Sequence, residues 1–60
     1  MKYRTIYQIE AFTESYDIKA RRYARNKQAA DRIARQYENA SVRKLRKDEH
    51  MFVSPEWVED

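Results

Sequence analysis

Glycine is absent from all 60 residues, and proline occurs once. The absence excludes P-loops and dinucleotide-binding fingerprints, whose backbones approach phosphate through glycine. It also excludes two-residue hairpin turns of the Asn-Gly kind, so strands here are joined by looser loops. Cysteine is absent too, which leaves neither a disulfide nor a thiolate metal site and fits a reducing compartment. A chain this short forms one domain and buries only about 60% of the surface it exposes when unfolded. Leu, Ile, Val and Phe together number ten, so the core is thin, and five tyrosines and one tryptophan supplement it. A net charge of +3 is too low for a disordered chain. No apolar run approaches the roughly 20 residues of a membrane helix. The opening MKYRTIYQIE lacks the apolar stretch of a signal peptide. A soluble intracellular protein is the expectation.

The small net charge hides a segregated one. Eleven of the 13 cations lie between Lys19 and Lys47, with only Asp31 and Glu38 among them. That segment carries +9, and the remainder carries −6. Such a middle can neutralise several phosphates if its cations share one surface.

Along the chain, Tyr3, Thr5, Tyr7, Ile9 and Ala11 alternate with Arg4, Ile6, Gln8, Glu10 and Phe12. The alternation predicts a strand whose odd positions face a core, with Ile6 and Phe12 out of place. Thr13, Glu14 and Ser15 form a polar break. Residues 16–40 read either as one long helix or as a strand at 16–24 and a helix at 27–39. The helical wheel favours the second: Ala29, Ala30, Ile33, Ala34, Tyr37 and Ala40 share an arc of about 140°, and Ile18, Ala20 and Ala24 do not extend it. As a strand, Tyr16, Ile18, Ala20 and Ala24 share a face, with Arg22 the misfit. Asn26 then caps the helix, and Asn39 ends it. SVRKLRK at 41–47 reads as a third strand, although Val42 and Leu45 have opposite parity. HMFVS at 50–54 reads as a fourth strand, stopped by Pro55.

The expected fold is α+β: a small antiparallel sheet in the order β-β-α-β-β, with one helix on one face. Residues 1–55 form the domain and 56–60 an acidic tail carrying Trp57. The expected core is Tyr7, Ile9, Ile18, Ala30, Ile33, Ala34, Tyr37, Val42 and Val53.

Catalysis has little support. The single histidine, His50, is read as surface in a turn beside Glu49, and acid–base work needs a positioned partner in a water-excluding cleft. Ser15, Ser41 and Ser54 have no glycine-flanked elbow. Glu10, Glu14 and Asp17 match no calcium loop. No enzyme, metal, cofactor, membrane or small-molecule substrate is expected. Binding has more. The sheet face away from the helix is expected to be open and to carry Arg4, Lys19, Arg21, Tyr23 and Arg25. The third strand and its turn add Arg43, Lys44, Arg46 and Lys47, and the helix adds Arg32 and Arg35. Guanidinium groups bridge phosphates, and Tyr23 and Phe12 can stack on an unpaired base.

The strand YRTIYQIEAF, the helix start NKQAADRIA, and ASVRKL with its hairpin to HMFV are similar, in order of elements, to very small phage and mobile-element proteins. In particular the layout resembles type I anti-CRISPR proteins. The resemblance implies a non-enzymatic inhibitor or accessory factor in the cytoplasm of a bacterial host. Such a protein docks on a nucleic-acid-handling protein complex. Two alternatives stand beside it: direct DNA or RNA binding through the basic sheet face, and a structural or self-assembling subunit, for which a homodimer formed through strand edges is the simplest case.

Overall fold

Three strands run in one direction, and a single central strand opposes them. A computed structural model describes residues 4–59; Tyr3 of the first expected strand and Asp60 of the expected tail lie outside it. The strands are β1 (Tyr7–Phe12), β2 (Ile18–Ala24), β3 (Ala40–Lys44) and β4 (Val58–Glu59), in the order β3-β1-β2-β4. β1 is antiparallel to both β2 and β3. β4 adds to β2 in parallel, so the α+β sheet is mixed rather than wholly antiparallel. Residues 16–25 are strand and not helix from Ile18 to Ala24.

Strands that run the same way need a crossover between them. The first crossover, β2 to β3, is the helix α1 (Lys27–Ala34). Asn26 caps it as expected, its side-chain oxygen accepting from the Ala29 N–H at 2.8 Å. Ala29, Ala30 and Ile33 are buried against Ile9 and Ala24, with Tyr7, Ala34, Tyr37, Ala40 and Val42 packed around them. The helix is shorter than the expected 27–39. Gln36 and Tyr37 donate to Ile33 and Ala34, three residues back, which tightens the last turn and lets the chain enter β3 beside Phe12.

The second crossover, β3 to β4, replaces the expected fourth strand at 50–54. It is a strap of two 3₁₀ turns, Lys47–Phe52 and Pro55–Trp57. The strap lies on the sheet face away from α1. There Ile6, Leu45 and Val53 are buried together, with Tyr23 and Val58 partly buried against them. The opposite parity of Val42 and Leu45 therefore needs no bulge in β3, since each residue serves a different core. Ile6 is likewise buried and not out of place. The face expected to be open is covered at the end where β1 begins and β2 ends.

Two expectations about β2 fail. The register slips beside Phe12: Ala11 pairs with Ala20, yet Phe12 pairs with Ile18, leaving Lys19 as the extra residue. A slip of one residue moves a side chain to the other face. Ile18, expected in the core, is 53% exposed. Tyr16, expected on the same face, lies in the loop and is 82% exposed.

That loop shows the consequence of a chain without glycine. Thr13 O accepts from the Tyr16 N–H, and Thr13 N–H donates to Asp17 O, both at 2.9 Å. The Asp17 N–H also reaches Thr13 Oγ1 at 3.2 Å. Closing this five-residue hairpin requires left-handed backbone at Tyr16, whose φ is 65°. A side chain with a Cβ costs about 1–2 kcal/mol there, and asparagine tolerates the region better than tyrosine. Tyr16→Asn is expected to raise unfolding stability by about 0.5–1 kcal/mol, read as a higher urea midpoint at unchanged slope. A lower midpoint would mean that the tyrosine ring stabilises the hairpin through a contact of its own.

Candidate docking surface

The cations of the middle segment do not form one plateau. On the sheet face away from α1, Arg21 donates through Nε and Nη2 to Glu10 Oε2 at 3.0 and 2.9 Å. Arg43 donates through Nη1 to both oxygens of Glu49 at 3.1 Å, and through Nη2 to Gln8 Oε1 at 3.4 Å. Arg46 sits 3.5 Å from Asp48 and from Glu49. The Tyr23 hydroxyl accepts from Gln8 Nε2 at 3.4 Å. Arg25 is exposed just past β2, its N–H donating to Glu59 O at 3.1 Å. Lys19 stands at the register slip, Arg32 on α1, Arg35 just after it, Lys44 at the end of β3 and Lys47 at the start of the strap. All five are exposed and make no ion pair among the described residues. The ten residues named from the sequence thus divide between opposite sides of the sheet, and the sheet-face arginines among them are paired with carboxylates.

Arg22, set aside as a misfit, organises the β2 edge. It lies on the helix side of the sheet, where Nε and Nη2 donate to the two oxygens of Glu59 at 2.8 and 2.6 Å. Nη1 donates to Gln36 Oε1 at 2.8 Å and to the Tyr37 hydroxyl at 3.3 Å. Two parallel N–H···O bonds to one carboxylate are the strongest form of such a pair. The Glu59 hydrogen bond, then that to Tyr37, holds the guanidinium above its ordinary pKa. The same hydrogen bonds hold the Glu59 carboxyl below the usual range. Glu49 is lowered as well, first by the Arg46 backbone N–H, which donates to it at 2.8 Å, and then by Arg43.

Across the sheet from this pair, Trp57 stacks on Tyr23, with ring centroids 6.0 Å apart and planes 21° from parallel. Beside the stack a surface cavity of about 460 Å³ is lined by Arg21, Arg22, Tyr23, Trp57 and Glu59. The residues expected as an acidic tail thus supply one strand and part of this wall. Large apolar side chains stay exposed around the surface: Tyr16 and Ile18 at the hairpin end, Met51 and Phe52 on the strap, and Trp57. Sequence reading missed Met51 and Phe52 because it placed them on a strand, and Ile18 because the register slip turns it out of the core. It missed Glu59 because acids near a chain end carry no periodic signal; Arg22 on an otherwise apolar face was the one clue that an acid must reach it.

His50 is a further correction. Expected at the surface, it is only 4% exposed, and Nε2 has no hydrogen-bond partner. The 3₁₀ turn carries it inward under the strap, where a strand would have left it at a turn. Among the described residues no group of His, Cys, Asp or Glu is arranged to hold a metal ion. No helix is long and apolar enough to cross a membrane.

The fold and surface define a small α+β domain with two crossovers, one on each face of its sheet. No family model, curated protein or solved structure matches it.

Glu59 and Glu49 give stability a defined pH dependence. A carboxyl whose folded pKa is depressed adds stability above its unfolded pKa, about 4.3 for glutamate, and loses it as pH falls through the folded value. The contribution of these two carboxyls is therefore expected to be constant above about pH 5 and to decline below about pH 4.3. Glu59→Gln should lower stability at neutral pH by about 1 kcal/mol and flatten the acid decline. The fluorescence of Trp57, the sole tryptophan, reports the strap directly. An unchanged acid profile in Glu59→Gln would show that the Arg22 pair does not anchor β4.

Proposed function

We propose that this chain is a non-enzymatic docking protein for a protein complex that handles nucleic acid. It acts as an inhibitor or accessory factor of the anti-CRISPR kind in the cytoplasm of a bacterial host. The observation that carries the reading is the set of large apolar side chains left exposed on a domain with little apolar material to spare. Tyr16, Ile18, Met51, Phe52 and Trp57 stand outside both cores. Aromatic residues and methionine are enriched at protein interfaces, and Met51 and Phe52 stand next to each other on the strap. Lys19, Lys44, Lys47, Arg32 and Arg35, exposed and without an ion pair among the described residues, steer the chain toward an acidic partner and add to the on-rate.

Direct nucleic-acid binding through the sheet has less support. Phosphate binding draws on cations that release counterions, and here Arg21 and Arg43 already face Glu10 and Glu49. Each would exchange one anion for another. A nucleic-acid-handling partner fits the remaining positive charge.

Capture from a bacterial lysate treated with nuclease tests the reading. The expected result is retention of a multi-subunit complex that itself binds DNA or RNA. Replacing both Met51 and Phe52 by serine should reduce retention about tenfold, a loss typical of interface anchors, with the circular dichroism spectrum unchanged. In parallel, duplex and single-stranded DNA should show no mobility shift at about 50 mM salt. A shift that weakens steeply with salt, or capture that nuclease abolishes, would replace this reading with direct nucleic-acid binding.

A further inference from the structure

The outer edge of β2 is covered over only two residues. Val58 and Glu59 pair with Tyr23 and Ala24, and the Arg25 N–H donates to Glu59 O. In a parallel ladder a residue bonds to the two neighbours of its partner, so Tyr23 and Arg25 turn their backbone groups toward this edge. Strand geometry repeats every two residues, so Arg21 turns its N–H and C=O the same way. Just before Val58 the chain leaves the sheet plane through the turn Pro55–Trp57. Among the described residues no strand follows β4 down to Arg21. The cavity opens beside that point, with Arg21 and Trp57 in its wall.

We propose that this edge of β2 receives an extended acidic segment of a partner protein as an added strand. The backbone of Arg21 supplies the hydrogen bonds, the Lys19 ammonium supplies the charge, and Arg21 Nη1 is a further donor. The proposal rests on the docking reading above and names the kind of partner surface involved. Strand addition to an exposed edge is a general mode of peptide recognition, in which backbone bonds give affinity and side-chain pockets give specificity.

Three observations select an acidic occupant. The chain's own strand on this edge carries Glu59, gripped by Nε and Nη2 of Arg22, so the edge already displays the chemistry. Arg21 spends Nε and Nη2 on a single oxygen of Glu10 and leaves Nη1 without a partner among the described residues. Lys19, two residues further along, is exposed and makes no ion pair among the described residues. An added strand turns alternate side chains to one face, so acids at every second position all face the side that carries Arg21, and β-branched residues between them favour the extended strand. The same cations argue against a second copy of the chain. Pairing two β2 edges would bring Lys19 and Arg21 of each copy together, and lysines and bulges at an edge are established means of preventing self-pairing.

The test uses the full chain, ¹⁵N-labelled, and a capped hexapeptide of alternating glutamate and valine. Amide shifts are expected at Lys19 and Arg21 and at the Trp57 indole, and exchange of the Arg21 N–H is expected to slow about tenfold. A lysine–valine peptide should leave the spectrum unchanged. Chemical synthesis of the chain with an N-methyl group on Arg21 removes the outward donor and keeps the side chain; peptide affinity should fall about tenfold. Shifts elsewhere, no shifts, equal binding of the lysine peptide, or edge shifts that follow chain concentration alone would overturn the proposal, the last by assigning the edge to a second copy. An N-methyl-Arg21 chain that still retains its nuclease-resistant complex would also overturn it while leaving the docking reading intact. Peptide binding at the edge with no complex captured would do the reverse.

Discussion

The shared direction of β2, β3 and β4 is the constraint from which the rest of this structure follows. Only β1 opposes them, so each of the other two connections has to cross the sheet. One crossing is a helix with an apolar stripe, and it occupies one face. The other is an irregular strap, and it occupies part of the opposite face. With both faces engaged, sixty residues divide their apolar groups between two small clusters, one around Ile9 and Ile33 and one around Ile6 and Leu45. Neither cluster is large, and the sheet between them is part of both. The last strand holds its place through Arg22, whose fork fixes Glu59 on one side while Trp57 rests on Tyr23 on the other.

The helix and the three longer strands were legible because their signals are local. Asn26 announces a cap, the alanine stripe has the helical period, and Tyr7, Ile9 and Ala11 alternate. Failures came where position depends on a distant partner. Ile18 changes face because of a slip in register beside Phe12, and no count along β2 alone reveals that. The run HMFV has strand-forming composition, yet the chain there must cross the sheet, and a 3₁₀ turn buries His50 and Val53 while leaving Met51 and Phe52 outside. Two conflicts noted in the sequence proved to be information. Val42 and Leu45 disagreed in parity because there are two cores, and Arg22 lay on an apolar face because a carboxylate meets it there.

The candidate surface was legible in composition and not in geometry. Clustering of cations along the chain did not become clustering in space, because β2 and β3 each present alternate residues to opposite faces and α1 turns Arg32 outward. Carboxylates from β1 and the strap then meet the arginines that do share the sheet face. What remains is a mixed surface of exposed lysines and exposed aromatic and aliphatic groups, closer in character to a protein interface than to a phosphate track.

The two-residue β4 also bears on how the molecule comes together and comes apart. The β1–β2 hairpin closes over five residues, whereas β4 meets β2 only after the chain has travelled through the helix, β3 and the strap. Loop-closure entropy places such a contact late in assembly, and two ladder positions hold it with little backbone cooperativity. The C-terminal segment is therefore the natural first unit of local opening, a small foldon hinged on a sheet that persists without it.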